Sequence, residues 1–288
     1  MAAHVRSVVI PAAGLGTRIL PATKAFPKEL LPLVDRPIIQ YGVEEAVAAG
    51  CRRVVLVTSP DNTMTAAHFA PNPALEAVLE KRGKSETLAL VRSVSAMAEL
   101  TTVHQAQPLG LGHAVLMAAP AVRGEPFAVV LPDDVIDAEP PALRSMCDLF
   151  AELDGPVLLV ERVPRDAVNR YGIIDASPLR QGVYRVRDLV EKPDPADAPS
   201  DLAIVGRYIL TPDLFPVLEQ TGAGAGGEIQ LTDGLRDLMA QRPIYACELS
   251  GVRHDAGSRL GFLQASLYFA LKRPDLAPAL RAYLRTLD

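Results

Sequence analysis

Three basic residues, Arg18, Lys24 and Lys28, lie within one glycine- and proline-rich stretch, PAAGLGTRILPATKAFPKELLP, residues 11–32. Its two glycines permit tight turns that leave backbone N–H groups exposed, and its four prolines restrict the chain before any ligand binds. Rigid positive charge beside exposed amides suits a nucleoside triphosphate. The alternative is a set of solvated surface charges, which the position behind an apolar strand disfavours.

Two common phosphate-binding motifs are excluded by the residues of this stretch. A dinucleotide-binding fingerprint requires a third glycine where Ile19 stands, and Pro21 and Pro27 would break the helix that receives the pyrophosphate. The spacing to the Lys and Ser/Thr of a P-loop is also absent. The stretch therefore predicts neither a Rossmann dehydrogenase nor a P-loop protein.

The composition limits the partners of the chain. Its 288 residues carry a net charge of −5, so there is no surplus positive field for nucleic acid or an anionic membrane. The apolar run AVLMAAPAV is well short of the ~20 residues that cross a bilayer. We therefore expect no nucleic-acid partner and no membrane association, and a bound anion must be met by locally gathered Lys and Arg.

The cysteines and the first residues favour a cytoplasmic location. The first residues run directly into a predicted strand, without the basic and apolar segments of a signal peptide. The three cysteines have no CxxC spacing, which predicts reduced thiols; they are Cys51, Cys147 and Cys247.

Four short runs, SVVIP, RVVLVTS, PFAVVLPDD and GPVLLVERV, are rich in β-branched residues and alternate with helical segments. This order predicts an α/β fold with a Rossmann-like, open, mostly parallel sheet flanked by helices. One helix is predicted from Pro37 to Gly50, with Asp35 as its cap. Ligands bind outside the carboxyl ends of such strands, where residues 12–28 and 133–135 stand.

The pattern changes after residue 160. The runs YGIIDAS, GVYRVRDLVEKP and DLAIVGRYIL alternate apolar and polar residues, which predicts a smaller mixed or antiparallel sheet beside the first. Residues 221–228, TGAGAGGE, are predicted to be a flexible loop. Two amphipathic segments, about 258–272 and 275–287, predict helices at the C-terminus.

The stretch IPAAGLGTRILPATKAFPKELLPLVDRPIIQYGVEEAVAAG closely resembles the opening of bacterial UTP-glucose-1-phosphate uridylyltransferases, members of the sugar-phosphate nucleotidyltransferase family. The likeness continues in order through QPLGLGHAV, VVLPDD, YGIID, LVEKP, VGRYIL, GAGGEIQLTD and HDAGSRLGFLQA. It implies the nucleotide-diphospho-sugar transferase type of fold, with residues 1–288 as one domain. Within it we expect a nucleotide-binding part (1–160), a sugar-binding part (161–257) and C-terminal helices (258–288).

The resemblance implies attack by the phosphate of α-D-glucose 1-phosphate on the α-phosphorus of UTP, which yields UDP-glucose and pyrophosphate. The nucleophile is already an anion, so no general base is needed, and catalysis depends on positioning and charge neutralisation. The resemblance also implies a homodimer or homotetramer built partly from the C-terminal helices.

The resemblance assigns roles to individual residues. Arg18 and Lys28 match the catalytic pair, with Lys24 as a weaker candidate beside them. Asp133 and Asp255 match the residues that hold Mg²⁺, and Asp134 is an adjacent candidate. The implied nucleotide-binding residues are Ala12, Ala13, Gly14, Gly16, Glu29, Gln105, Gly110 and Asp133, and the implied sugar-phosphate-binding residues are Gly172, Glu191, Lys192 and Gly206.

Two of these assignments raise questions of specificity and geometry. The Gln105 amide complements the O4 and N3–H edge of uracil, but thymine presents the same edge, so this amide alone cannot separate UTP from dTTP. Glu191 and Lys192 would point to opposite faces of a strand unless the chain departs locally before Pro193. His113 is expected to pack at a helix start rather than to act in catalysis.

The sequence departs from the family pattern in two places. Residues 59–69, SPDNTMTAAHF, lack the basic Gly-Lys segment common there in relatives, and His254 and Ala256 flank the metal ligand with unusual residue types. The alternative functions are a thymidylyltransferase, a uridylyltransferase for another sugar, and a non-catalytic regulatory protein that binds sugar nucleotides. The last is disfavoured because Lys28 and both metal-pair aspartates are present.

Overall fold

A nine-stranded mixed sheet forms the centre of the part of the chain that the structure, a computed structural model, describes: residues 4–287. Within these residues the strands are β1 (Ser7–Ala12), β2 (Pro32–Leu33), β3 (Arg36–Pro37), β4 (Arg53–Thr58), β5 (Glu99–His104), β6 (Phe127–Val130), β7 (Asp134–Asp137), β8 (Val157–Arg162), β9 (Gly172–Arg180), β10 (Val183–Glu191), β11 (Leu202–Leu210), β12 (Tyr245–Glu248) and β13 (Val252–Asp255).

Helices connect these strands and close the chain. The α-helices are α1 (Ile38–Ala48), α2 (Met64–His68), α3 (Pro73–Lys81), α4 (Ser85–Ser95), α5 (Leu111–Met117), α6 (Ala119–Val122), α7 (Ala142–Leu153), α8 (Leu214–Gln220), α9 (Leu231–Leu238), α10 (Arg259–Lys272) and α11 (Ala277–Leu284). Short 3₁₀ helices span Thr17–Ile19, Ala22–Lys24, Lys28–Leu30, Arg165–Arg170 and Ala225–Gly227. No helix among residues 4–287 is both long enough and apolar enough to traverse a bilayer.

The strand order of the large sheet is β5-β4-β1-β6-β11-β8-β12-β10-β9. The first four strands are parallel, as βαβ connections require, and β11 runs antiparallel between β6 and β8. The predicted α/β fold class is confirmed. One detail differs: the antiparallel strands after residue 160 extend this sheet, and the separate small sheets are the pairs β13-β7 and β2-β3.

Helices cover both faces of the sheet. Along β1, Val8 and Ile10 join the core beneath α1 and α7, whereas Val9 joins the core beneath α5, α8 and α9. Burial on both faces explains why the parallel strands are almost continuously apolar. The parallel strands are thereby held rigidly, with their carboxyl ends on one edge.

The predicted helix behind the glycine-rich stretch is present as α1, and Gly50, with φ of 105°, follows its end as expected. The predicted cap is wrong. Asp35 makes no capping bond, because the short hairpin of β2 and β3 intervenes and Pro37 occupies the N-cap position. The Asp35 carboxylate instead accepts a hydrogen bond of 2.6 Å from Arg273, which ties the hairpin to the end of α10.

The two C-terminal helices are also confirmed, with slightly shorter bounds. The Ser258 hydroxyl accepts a hydrogen bond of 3.2 Å from the N–H of Gly261 and so caps α10. Helix α10 packs beside β13, and its Ala265 shares a buried cluster with Leu33 and Val135. The C-terminal part of the chain therefore supports the segment that carries Asp255.

An arginine–glutamate pair lies fully buried behind the carboxyl end of β6. The Arg207 guanidinium is 2.8 Å from the Glu45 carboxylate and donates to the backbone oxygens of Leu131 and Asp134 at 3.2 and 2.8 Å. The side chain of Arg207 is 1% exposed. Because one guanidinium bonds both ends of residues 131–134, it stabilises the observed conformation of this segment.

Candidate active site

The glycine-rich stretch leaves β1 and folds back on itself through three 3₁₀ turns. Gly16 adopts φ of 63°, and its carbonyl accepts a hydrogen bond of 2.7 Å from the Thr23 hydroxyl. A Cβ on Gly16 would lie 3.2 Å from Cβ of Lys28. The turn therefore requires glycine, both for its left-handed backbone and for the close approach of Lys28.

Asp133 lies just beyond β6, and two of the predicted basic residues reach it. The Lys28 ammonium is 2.6 Å from Asp133 Oδ2, and the Arg18 guanidinium is 3.5 Å from the same oxygen. Burial alone would raise the pKa of Asp133, but the charges of Lys28 and Arg18 outweigh it and hold the pKa below its usual range. Burial likewise acts to lower the pKa of Lys28, and Asp133 reverses the shift. Both groups are therefore charged.

Asp255 is brought to Asp133 by the β13-β7 pair. The N–H of Ala256 donates to the Asp133 carbonyl at 2.8 Å, and Asp255 lies opposite Asp134 in the register. A Cβ placed on Gly257 would be 2.6 Å from Asp133 Oδ2 and 3.1 Å from Asp255 Oδ1. The two carboxylates thus converge on the same small volume.

This pair suits a divalent cation such as Mg²⁺, which prefers one or two carboxylates completed by phosphate oxygens and water. No group of three or more His, Cys, Asp or Glu side chains within residues 4–287 is arranged to hold a metal ion. A cation held by the two carboxylates of Asp133 and Asp255 would keep positions for phosphate oxygens and water. The oxygens are at present neutralised by basic side chains: Lys28 bonds Asp133, and Arg170 bonds Asp255 at 3.0 Å.

Asp134, the adjacent candidate for the cation, lines the same cavity as this pair but has a different partner. Its carboxylate lies 2.6 Å from the guanidinium of Arg253, and the Arg253 guanidinium also packs 5.2 Å from the ring centroid of Tyr171. Burial raises the pKa of Asp134, even though Arg253 opposes that shift. Asp134 therefore supports the wall of the site through Arg253.

Two adjoining cavities contain most of the predicted residues. The first, here called the Gln105 cavity, has a volume of about 350 Å³, and the second, the Glu191 cavity, about 530 Å³. The Gln105 cavity is lined by Ala13, Gly14, Lys28, Glu29, Gln105 and Gly110, and the Glu191 cavity by Gly172, Glu191, Lys192, Gly206 and Asp255. Both are lined by Arg18, Leu111, Leu131, Asp133 and Glu228.

Three predicted residues lie outside both cavities. Ala12 is buried in the sheet, where its carbonyl accepts from the Asn62 side chain at 3.4 Å. Gly16 shapes the turn behind the cavity wall, and Lys24 is exposed at the end of a 3₁₀ helix. The structure therefore brings Ala12 and Gly16 near the site as backbone supports and leaves Lys24 apart from it.

The Gln105 side chain is buried and held in place by two neighbours. Its Nε2 lies 3.1 Å from the Gly110 carbonyl and 2.9 Å from Nδ1 of His113. His113 thus orients the amide, which agrees with the packing role expected for it. A fixed amide at a cavity wall can distinguish ligands by their hydrogen-bonding edge.

Glu29 is an unusual member of the Gln105 cavity. It is 2% exposed, and among the residues that the structure describes neither carboxylate oxygen has a hydrogen-bond partner. Burial raises the pKa of Glu29 to about 7, against the opposing charge of Lys28. Glu29 therefore changes protonation near neutral pH.

The expected departure before Pro193 occurs at Lys192, whose φ is 46°. This left-handed residue directly follows β10, and its ammonium lies 3.3 Å from Glu191 Oε1. Thr232 donates to the other Glu191 oxygen at 2.7 Å. A strained backbone at a cavity wall is typical of functional sites, and here it places a cation and a carboxylate on the same cavity.

The two departures from the family pattern make local contacts of their own. Residues 59–69 form a turn and α2, where the Asn62 side chain accepts from Thr65 N–H at 3.3 Å. The His254 ring packs 4.5 Å from the ring of Tyr268 on α10. Neither departure removes a group from the Asp133–Asp255 pair.

Several residues of the Glu191 cavity were missed from sequence: Arg170, Tyr171, Thr232 and Arg253. Tyr171 opens the YGIID run, Thr232 lies in the GAGGEIQLTD run, Arg170 directly precedes Tyr171, and Arg253 precedes Asp255 by two positions. Their closeness in sequence to recognised motifs was the one signal for these residues. Their contacts join distant segments of the chain, so the sequence alone does not show them.

A sequence profile of the family described as nucleotidyl transferase matches residues 7–270. The UTP–glucose-1-phosphate uridylyltransferase YngB of Bacillus subtilis (strain 168) is 47% identical over 284 residues, covering 99% of this chain and 96% of that protein. Among solved structures, a UDP-glucose pyrophosphorylase complexed with UDP-glucose is 40% identical, with a TM-score of 0.85 over 93% of this chain and 100% of that chain. A UTP-bound UGPase from Acinetobacter baumannii is 38% identical, with a TM-score of 0.91 over 99% of this chain and 100% of that chain.

Proposed function

Because the chain belongs to the nucleotidyl transferase family, we propose that it converts UTP and α-D-glucose 1-phosphate into UDP-glucose and pyrophosphate. The names of its relatives support both substrates, since they are UTP–glucose-1-phosphate uridylyltransferases at 43 to 47% identity. The observation that carries the proposal is the convergence of Arg18, Lys28, Asp133 and Asp255 where two cavities meet.

The geometry explains how two polyanions could be brought together. We place the nucleotide in the Gln105 cavity, with the uracil edge at the Gln105 amide, and the sugar phosphate in the Glu191 cavity. Glu191 would accept a hydrogen bond from a sugar hydroxyl, and Lys192 would hold the sugar phosphate. Arg18 and Lys28 would neutralise the triphosphate, which lowers the barrier to in-line attack on the α-phosphorus.

A divalent cation bound by two aspartates completes this proposal. Asp133 and Asp255 would hold a divalent cation, for which Mg²⁺ is our choice because hard oxygen ligands suit it. When bound, the cation would supply charge neutralisation on phosphate oxygens. Arg18 and Lys28, which lie at the same Asp133 carboxylate, would add positive charge from the glycine-rich stretch.

A thymidylyltransferase is the nearest alternative. The Gln105 amide reads an edge that uracil and thymine share, so discrimination depends on the space at C5 or on contacts to the ribose 2′-OH. A non-catalytic sugar-nucleotide-binding protein is the alternative from another class. The presence of Lys28, Asp133 and Asp255 together supports catalysis, because a protein that only binds sugar nucleotides would be expected to have lost one of them.

The test is a pyrophosphate-release assay with UTP, glucose 1-phosphate and Mg²⁺, run beside dTTP and a panel of other hexose 1-phosphates. We expect the highest kcat/KM with UTP and glucose 1-phosphate, and no release without a divalent cation. A preference for dTTP would identify a thymidylyltransferase. Binding of UDP-glucose without any turnover would identify the regulatory alternative.

A homodimer or homotetramer in the cytoplasm stays part of the proposal. Exposed apolar side chains on the C-terminal helices support self-association: Leu260 and Leu263 on α10 are 68% and 58% exposed, and Tyr283 on α11 is 60% exposed. Light scattering of the purified protein, compared with the 30.8 kDa of one chain, tests the assembly.

A further inference from the structure

Arg170 links Asp255, one of the two aspartates that we propose hold the cation, to the wall of the Glu191 cavity. It ends the 3₁₀ helix Arg165–Arg170, and its guanidinium lies 3.0 Å from Oδ2 of Asp255. The guanidinium also stands 5.7 Å from the ring centroid of Tyr171. Arg170 therefore holds one of the two carboxylates proposed for the divalent cation.

The basic partners of Asp133 and Asp255 differ in how exposed they are to water. Lys28 and Asp133 are both 18% exposed and 2.6 Å apart, so water weakens their attraction little. In the Arg170–Asp255 pair Asp255 is 20% exposed but Arg170 is 54% exposed, so water competes for the guanidinium and weakens the attraction. Separating Arg170 from Asp255 therefore costs less free energy than separating Lys28 from Asp133.

The surroundings of Arg170 offer it a second partner. Arg170, Gly172 and Lys192 line the same cavity, and the Lys192 N–H donates to the Tyr171 carbonyl at 2.9 Å. The residue next to Arg170 is thus tied to the lysine that we place at the sugar phosphate. A guanidinium binds phosphate oxygens in a planar, bidentate manner that an ammonium cannot reproduce.

From these contacts we infer that Arg170 alternates between two anions. In the free enzyme it neutralises Asp255, and when Asp255 binds a divalent cation it turns to the phosphoryl group of the sugar 1-phosphate. This inference rests on the proposed function, because it requires the sugar phosphate to occupy the Glu191 cavity. Arg170 would then couple metal binding to sugar-phosphate binding at one site.

The first test measures metal affinity without substrates. Mn²⁺ is titrated into the whole protein and followed by electron paramagnetic resonance, for the wild type, Arg170→Gln and Arg170→Lys. We expect Arg170→Gln to tighten Mn²⁺ binding by about threefold to tenfold, because a competing cation is removed from Asp255. Arg170→Lys keeps the charge and should stay near the wild-type affinity.

Arg165→Gln is the matched control. Arg165 lies on the same 3₁₀ helix and bonds the carbonyls of Ser200 and Ala196, at 3.3 and 3.5 Å. We expect its Mn²⁺ affinity to equal that of the wild type. Thermal unfolding of each variant checks that all are folded.

The second test measures the coupling itself. In the wild type, glucose 1-phosphate should tighten Mn²⁺ binding, and in Arg170→Gln this enhancement should shrink by about threefold or more. In turnover, Arg170→Gln should raise the KM for glucose 1-phosphate by about tenfold or more and leave the KM for UTP nearly unchanged.

The inference is overturned if Arg170→Gln leaves Mn²⁺ affinity unchanged or weakens it, or if glucose 1-phosphate enhances Mn²⁺ binding equally in both proteins. Failure of the proposed function has a different signature. In that case the wild type releases no pyrophosphate from UTP and glucose 1-phosphate, while the substrate-free Mn²⁺ affinities still rank the variants as expected.

Discussion

The Lys28 ammonium lies 2.6 Å from the Asp133 carboxylate, although 105 positions separate the two residues in the chain. The contact joins the glycine-rich stretch after β1 to the segment after β6, because parallel neighbours end on the same edge of the sheet. It fixes a positive charge and a negative charge at the boundary of the two cavities.

Lys28→Ala should lower kcat/KM for pyrophosphate release by about 10²–10³-fold, because a charge aimed at the developing negative charge is lost. Lys84→Ala, at an exposed position between α3 and α4, should keep wild-type activity. Circular dichroism of both variants checks the fold. Near-normal turnover of a folded Lys28→Ala protein would contradict the role given to Lys28.

Asp133→Asn should also nearly abolish turnover, and it should in addition weaken Mn²⁺ binding to the substrate-free protein by about tenfold or more. The amide keeps the shape of the side chain but loses the charge that pairs with Lys28. Mn²⁺ titration followed by electron paramagnetic resonance measures the change in metal affinity separately from the change in activity. Unchanged Mn²⁺ affinity would place the metal elsewhere.

Glu29 should give the protein a distinct pH dependence of stability. Its pKa in the folded protein is raised by burial from 4.5 to about 7, so its ionisation destabilises the fold as pH rises through this range. Glu29→Gln should therefore gain stability relative to the wild type by roughly 2 kcal/mol between pH 5 and pH 8. Urea unfolding at both pH values measures this difference.

Glu86→Gln, an exposed substitution on α4, is the control for that measurement, and its stability relative to the wild type should not change between the two pH values. If the difference in free energy of unfolding between Glu29→Gln and the wild type is also the same at both pH values, then Glu29 ionises at its ordinary pKa in the folded protein.

Arg207→Met should destabilise the fold by about 3–5 kcal/mol, because it leaves the Glu45 carboxylate buried without its partner. The double variant Arg207→Met/Glu45→Met should recover a large part of that loss, since no unpaired charge remains. Urea denaturation of both variants provides the comparison. Equal destabilisation of the single and double variants would show that packing, and not the unpaired charge, is responsible.

Gly206→Ala should be far more costly than Gly83→Ala, although both glycines have φ near 65°. At Gly83 a Cβ would meet nothing within 4 Å, so only backbone strain of about 1–2 kcal/mol is expected. At Gly206 the Cβ would overlap the Asp134 carboxylate, which adds a steric cost of about 1–3 kcal/mol. Thermal unfolding separates the two effects, and equal losses would mean that Asp134 moves freely.

Local patterns made much of the fold predictable. The β-branched runs marked β1, β4, β6 and β8, because strands buried on both faces carry few polar residues. The end of α1 at Gly50 and the turn before Pro193 were predictable for the same reason: each depends on the backbone preferences of one residue.

Contacts between distant side chains were not predictable in this way. Arg273 pairs with Asp35 across 238 positions, and this pairing replaced the helix cap that the local pattern favoured. Arg207 stands in an apolar strand, and its burial depends on Glu45, 162 positions away. Arg170 and Asp255 meet across 85 positions, so the partner of the second metal-pair aspartate emerged only from the fold.

The wall shared by the Gln105 and Glu191 cavities has a consequence for the rate of the enzyme. UDP-glucose spans both cavities in the proposed arrangement, whereas each substrate occupies one. Its escape requires both groups of contacts to break together, which lengthens its residence time. We therefore expect departure of the nucleotide sugar, rather than phosphorus–oxygen bond formation, to set the turnover number.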